Sequence, residues 1–180
     1  MVRKSSQVAM GGLAAALCLL LMFMTGMIPF ATYALPALAG VVLIAVVAEN
    51  GYKTALVVYA AVALLFIVVV PDREAALMFI FFFGYYPVIK GQIEKLQFAP
   101  LRLLVKYLLF NLSMVLAYLI IIHVLGIAEI LDDLGDFGKY SPYIILGLGN
   151  VVFAVYDYAL TNIIYVYHHW FRVKFLGRMK

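Results

Sequence analysis

The chain of 180 residues is 67% hydrophobic and only 12% charged. Soluble domains are about half apolar and about a quarter charged, so this composition excludes an ordinary soluble fold. It predicts an all-α, polytopic membrane protein with one transmembrane domain over residues 1–180. The single cysteine, Cys18, excludes an internal disulfide and a cysteine-based zinc site.

Six apolar runs are long enough to cross a bilayer core of about 30 Å, which needs roughly 20 helical residues. The first follows Arg3 and Lys4, and its length of about 21 residues exceeds the apolar core of a signal peptide, which predicts an uncleaved span. The fourth is short unless it continues as an amphipathic helix beyond Ile89, and Gly84 with Pro87 predicts a kink in it. The predicted bundle of six transmembrane helices comprises residues 8–28, 31–48, 54–70, 75–89, 103–125 and 143–167.

The basic residues predict the direction of these spans. With a cytoplasmic amino terminus, only Arg73 and Lys139 of the thirteen lysines and arginines fall outside. Cytoplasmic loops of membrane proteins are enriched in Lys and Arg, so both termini are expected to be cytoplasmic. The net charge of +4 follows from this topology and does not indicate a nucleic-acid partner.

The sixth span carries small and polar residues at helical spacing. Asp157 is the one carboxylate well inside a predicted span, and an ionisable group at such a depth is a candidate functional residue. The alternative is a hydrogen bond from Asp157 to a neighbouring helix that only stabilises the bundle. The predicted polar face contains Tyr143, Gly147, Asn150, Ala154, Asp157, Thr161 and His168, whereas Ile144, Leu148, Val151, Val155 and Leu160 are expected to point elsewhere.

Two other spans offer partners for this face. Asn111 shares a face of the fifth span with Tyr107 and Tyr118, and its depth predicts a hydrogen bond to Asp157. In the fourth span, Tyr86 and Lys90 lie one turn apart. Together these residues predict a polar cavity among spans four, five and six. The alternative is that Tyr85, Tyr86 and Lys90 of span four anchor the helix at the inner headgroups.

The first span carries two pairs of small residues, Gly11 with Ala15 and Gly12 with Ala16. Small residues four apart allow close approach of another helix. This helix belongs either to the same chain or to a separate subunit, and the sequence leaves both open.

Several kinds of catalytic site have no counterpart in the sequence. It has no Walker A loop, no HExxH or GxSxG motif, and no cluster of His and Cys ligands. His168 and His169 diverge by about 100° on a helix, and they are interpreted as an interface anchor. We therefore expect a protein that is not an enzyme and holds neither a metal nor a cofactor.

Taken together, these features resemble the substrate-binding S components of energy-coupling factor (ECF) transporters, which are bacterial importers of vitamins and micronutrients. The resemblance rests on length, on six spans with cytoplasmic termini, and on a basic tip followed by a first helix rich in small residues. The residues that carry it are Arg3, Lys4, Ala9, Gly11, Gly12, Ala15 and Ala16.

The resemblance implies a multi-pass subunit of the bacterial plasma membrane that binds a small-molecule substrate. It would dock through helix one on a transmembrane coupling subunit driven by ATPases. Residues 29–36 and 71–74 would cap the site from outside. The residues implied or proposed for substrate binding are Tyr118, Tyr143, Gly147, Asn150, Asp157, Asn111 and Tyr86. The rival interpretation is a non-transporting scaffold like the rod-shape-determining membrane proteins, which would recruit partners through the same small residues.

Overall fold

The computed structural model describes residues 4–28, 31–123 and 141–169, and these residues are mostly helical with no strand among them. Five of the described stretches are long and apolar enough to cross a membrane, and the remaining apolar helix has 17 residues. Each predicted span overlaps one of these six, so the predicted all-α membrane fold is confirmed. The helices are α1 (Lys4–Phe23), α2 (Ala34–Asn50), α3 (Tyr52–Val69), α4 (Arg73–Met78), α5 (Tyr86–Ile93), α6 (Ala99–His123) and α7 (Ser141–Val166).

The two described ends of the chain lie at the same end of the bundle. The Asn50 amide donates to the backbone oxygen of Gln7 at 3.4 Å, and the Tyr167 hydroxyl donates to Glu49 at 3.5 Å. The start of α1 and the end of α7 therefore both meet the α2–α3 turn, as an even number of spans requires. We call this the basic end. Its assignment to the cytoplasm stays a prediction from charge.

Helices α1, α2 and α3 form one tightly packed unit. Cys18 of α1 is fully buried and its Sγ contacts the Ala39 carbonyl of α2 at 3.3 Å. Gly51, with φ of 85°, forms the turn from α2 to α3 in a conformation that other residues rarely adopt. The shared core includes Ala14, Cys18, Met22, Ala39, Leu43, Val46, Val62 and Phe66.

The fourth span is interrupted in its middle. After α4 the chain forms one π-helical segment, Phe79–Phe83, and α5 then begins with Pro87 in its first turn. The Tyr59 hydroxyl donates to the Ile80 carbonyl at 2.5 Å, which supplies a partner for a carbonyl in the irregular turn. The interruption predicted from Gly84 and Pro87 is therefore present, but it begins several residues earlier, and the span extends to Ile93.

Helix α7 packs mainly through its aromatic and polar side chains. Phe153 stacks on Phe110 of α6 with ring centroids 4.8 Å apart, and both contact Phe82 of the fourth span. Leu160 is fully buried in the same core. The expectation that Leu160 lies off the polar face is wrong, because it is buried on the same inward face as Asn150, Phe153 and Asp157. Tyr143 and Thr161, which were expected on that face, are exposed.

Candidate functional site

Two lysines and two carboxylates meet between α5, α6 and α7 near the basic end. Lys90 of α5 is fully buried and pairs with Oδ1 of Asp157 on α7. Lys106 of α6 donates to the other oxygen, Oδ2, at 2.8 Å. One carboxylate therefore bonds cations from two other helices and holds all three helices together.

Glu94 completes this charge cluster. Its Oε1 lies 2.8 Å from Nζ of Lys90 and 3.2 Å from Nζ of Lys106. Lys90 also donates to the backbone oxygen of Asp157 at 3.1 Å, and the Tyr86 hydroxyl donates to Oδ1 at 2.7 Å. The two positive and two negative charges cancel, which is what burial of ionised groups in a membrane requires.

Helical spacing explains why these groups converge. Tyr86, Lys90 and Glu94 recur every fourth residue along and just beyond α5, so they share one face. Lys106 lies about 10 Å from the start of α6, and Asp157 lies about 14 Å from the end of α7, at 1.5 Å per residue. Because α6 and α7 are antiparallel, these two depths coincide.

Glu94 lies just beyond the end of the span and stays ionised. Burial alone would raise the pKa of Glu94, but the hydrogen bonds and charges of Lys90 and Lys106 outweigh it and hold the pKa below its usual value. Both lysines thus face an acid that is charged at neutral pH.

A second polar pair lies farther from the basic end. Asn111 of α6 and Asn150 of α7 exchange two hydrogen bonds of 2.9 and 3.0 Å. Each amide also donates to a carbonyl of its own helix. The predicted bond between Asn111 and Asp157 is wrong. The antiparallel register sets Asn111 opposite Asn150, which lies about 10 Å farther from the basic end than Asp157, and Asp157 is already bonded to two lysines.

The residues predicted to line a polar cavity thus bond one another in two groups. Tyr86 joins Asp157, and Asn111 joins Asn150. The headgroup-anchor alternative for Tyr86 and Lys90 is wrong, since both are fully buried. Tyr143 belongs to neither group and is 74% exposed.

Tyr118 also belongs to neither group. Its hydroxyl is buried, and among the described residues it has no hydrogen-bond partner. The Tyr156 hydroxyl is likewise buried and has no hydrogen-bond partner among the described residues. Tyr118 lies about 8 Å from the end of α6 at His123, in the half of the bundle opposite the charge cluster.

Sequence reasoning missed Lys106 and Glu94. The charge pattern places Lys106 among the cytoplasmic residues, although it is the fourth residue of the predicted fifth span, and Glu94 follows the end of the predicted fourth span. A lysine within an apolar run needs a buried acid or a path to water, and Asp157 was the one acid inside a span. The presence of Lys106 and Asp157 inside two predicted spans was therefore the sequence signal that these two residues pair.

At the other end of the bundle, the chain after α1 contacts the chain after α3. We call this contact, formed by residues 31–33 and 71–74, the cap. The Thr32 hydroxyl donates to Asp72 Oδ2 at 3.0 Å, and the Tyr33 hydroxyl donates to Glu74. The other oxygen of Asp72 accepts from the backbone of Ala75 at 3.0 Å and thereby caps α4. Residues 29–30 of the predicted cap lie outside the described residues.

The small residues of α1 divide between two surfaces. Gly11 is buried against Val58 of α3, where a Cβ atom would lie 3.1 Å from a methyl group, and Ala15 packs against the same core. Gly12 and Ala16 are exposed, and a Cβ on Gly12 would meet nothing. One predicted pair therefore packs within the chain, and only the other remains available to a partner.

Comparison of the chain with models of known families, with characterised proteins and with solved structures gives no match.

Proposed function

We propose that the protein is the substrate-binding subunit of a bacterial plasma-membrane importer for a vitamin or a related small micronutrient, energised by a partner transmembrane subunit and ATPases. The observation that carries this proposal is the cap. In the S components that the sequence resembles, the segments after spans one and three close the binding site from outside. Here the same two segments are joined by the Thr32–Asp72 and Tyr33–Glu74 hydrogen bonds.

The cap is suited to opening. Hydrogen bonds to charged groups contribute about 1.5 to 3 kcal/mol each. A ligand that binds with a micromolar Kd supplies about 8 kcal/mol, which is enough to break the two cap bonds. Asp72 stays fixed by its bond to the α4 backbone. The segment of Thr32 and Tyr33 is therefore the part that moves.

Tyr118 is the best candidate for direct contact with a ligand. It lies in the cap half of the bundle, and its buried hydroxyl has no hydrogen-bond partner within the described part of the chain. Leaving such a group unsatisfied costs about 1 to 3 kcal/mol, and a polar atom of a bound molecule would remove that cost. Binding sites for small molecules are mostly apolar with a few such polar groups, which agrees with the surroundings of α6.

Asp157 serves the fold in this proposal and does not bind the substrate. Both of its carboxylate oxygens accept from lysines, and Tyr86 occupies a further acceptor position. Asn111 and Asn150 likewise satisfy each other. These two polar groups hold α7 on the bundle while the cap half remains free to bind.

The test is a ligand-dependent rise in the melting temperature of the purified protein, measured across water-soluble vitamins and their precursors. A ligand at one hundred times its Kd adds about 2.7 kcal/mol. Tyr118→Phe should weaken this response while leaving the ligand-free melting temperature unchanged or raised. Tyr158→Phe, at a position 70% exposed on α7, is the matched control. No response to any compound would refute the proposal.

The alternative is a non-transporting scaffold of the cell-wall elongation machinery. It is favoured by the exposed pair Gly12 and Ala16, which offers a smooth helix surface to another membrane protein. A flat ligand response, together with purification from its native membrane without any ATPase partner, would favour the scaffold.

A further inference from the structure

The charge cluster reaches the surface of the protein through Glu94. The side chain of Glu94 is 34% exposed, whereas Lys106 is 7% exposed and Lys90 is fully covered. Glu94 follows the last residue of α5 and lies at the basic end. It is therefore the side chain between the two buried ammonium groups and the membrane boundary.

Two more cations lie close to this opening along the chain, since Lys95 directly follows Glu94 and Arg102 lies in the first turn of α6. Arg102 precedes Lys106 by one turn of α6, about 6 Å along the axis, and is partly exposed. Within the described ranges Arg102 has no acidic partner, and Lys95 bonds only the amide of Gln92, at 3.1 Å. Lys90 and Lys106 pair with the two carboxylates of the cluster. Lys95 and Arg102 add two cations at the same end of the bundle, so this region has a surplus of two positive charges.

The cluster does not need Glu94 to hold the helices together. If Glu94 moves away, Lys90 keeps Oδ1 and the backbone oxygen of Asp157, and Lys106 keeps Oδ2. Another anion can thus take the place of Glu94 without breaking the links among α5, α6 and α7.

We propose that this opening, formed by Lys95, Arg102 and Lys106, binds the phosphate of an anionic phospholipid, which displaces Glu94. The depth fits, because α5 ends one residue before Glu94 and headgroup phosphates lie where spans end. Basic pockets between transmembrane helices on the cytoplasmic side bind such headgroups. Arginine and lysine are also the side chains that proteins use for phosphate.

The experiment uses the full chain in a neutral detergent. Dioctanoyl phosphatidylglycerol, dioctanoyl phosphatidylcholine and inorganic phosphate are titrated separately, and the melting temperature and the bound mass by native mass spectrometry are recorded. We expect a saturable rise and a one-to-one adduct with phosphatidylglycerol only, weakened by added salt. An equal rise with phosphatidylcholine would show a general effect of lipid, and an equal rise with inorganic phosphate would show a free-anion site. Either result overturns the proposal.

Two variants locate the site. Arg102→Gln should weaken phosphatidylglycerol binding about fivefold, since one basic residue near a lipid surface contributes about 1 kcal/mol. Glu94→Gln should tighten it by a similar factor, since it removes the competing carboxylate. Lys53→Gln changes an exposed lysine elsewhere at the basic end and should leave binding unchanged. If Arg102→Gln and Lys53→Gln weaken binding equally, the effect is one of surface charge and the site is refuted, whether or not Glu94→Gln folds.

Discussion

Replacing Asp157 with asparagine removes one charge and almost no volume. In the native structure both carboxylate oxygens accept from buried lysines. Without that charge, Lys90 and Lys106 share only Glu94, so one positive charge is left uncompensated inside the bundle.

Breaking a buried ion pair by removing one partner costs about 3 to 5 kcal/mol. A chain of this size loses about 2 to 4 °C of melting temperature per kcal/mol. We therefore expect Asp157→Asn to melt roughly 6 to 20 °C below the native protein. The assay is thermal unfolding in detergent, followed by the loss of monodisperse protein on size-exclusion chromatography.

The double variant Asp157→Asn, Lys106→Met tests the reasoning. It restores charge balance, because Lys90 keeps Glu94, and it should recover more than half of the lost melting temperature. Glu74→Gln at the cap end is the matched control, with an expected loss of less than about 1 kcal/mol. A double variant that is less stable than Asp157→Asn, or a single variant as stable as the control, would show that charge compensation does not hold α7 in place.

Three further predictions concern other contacts. Gly40→Ala should destabilise the protein by about 1 to 3 kcal/mol, because its Cβ would lie 2.0 Å from a backbone oxygen of the fourth span. Gly12→Ala places its Cβ in open space and should leave the melting temperature unchanged. Equal melting temperatures for the two variants would contradict this prediction. Asn111→Leu should cost about 1 to 3 kcal/mol, because Asn150 Oδ1 loses its donor while Asn150 Nδ2 keeps only its bond to Leu146. Adding Asn150→Leu should restore most of this loss, and additive losses would mean that the two amides do not act as a pair. The pKa of Glu94 is lower in the folded state, so its stabilising effect is present above the ordinary value of 4.5 and is lost as the pH falls through the lower folded-state value. Between pH 6 and 3 the native protein should therefore lose more melting temperature than Glu94→Gln, and parallel curves would refute the assignment.

The arrangement of polar groups explains how α7 stays attached. Most of its surface is exposed, including Leu148, Val151 and Val155. In lipid, apolar side chains gain little by leaving one hydrocarbon environment for another, so packing and hydrogen bonds must hold helices together. The Asn111–Asn150 pair and the bonds of Asp157 supply these contacts at two depths.

The sequence by itself determined the spans and their alternation. Each span is a predominantly apolar run, and hydrocarbon requires the backbone groups in such a run to bond within the helix. The break near Gly84 and Pro87 could also be predicted from the sequence, because proline has no backbone N–H to donate and its ring clashes with the preceding helical turn. These features are local, so no knowledge of packing was needed.

Only the tertiary structure decided which polar groups meet. Asn111 was expected to bond Asp157 from its depth alone, yet the register of α6 against α7 brings Lys106 to Asp157 and Asn150 to Asn111. Likewise, the sequence offered Gly11 and Gly12 as equals, and the rotation of α1 buries the first and exposes the second. Depth along a helix follows from counting residues, but register and rotation depend on how whole helix surfaces pack, which no single segment encodes.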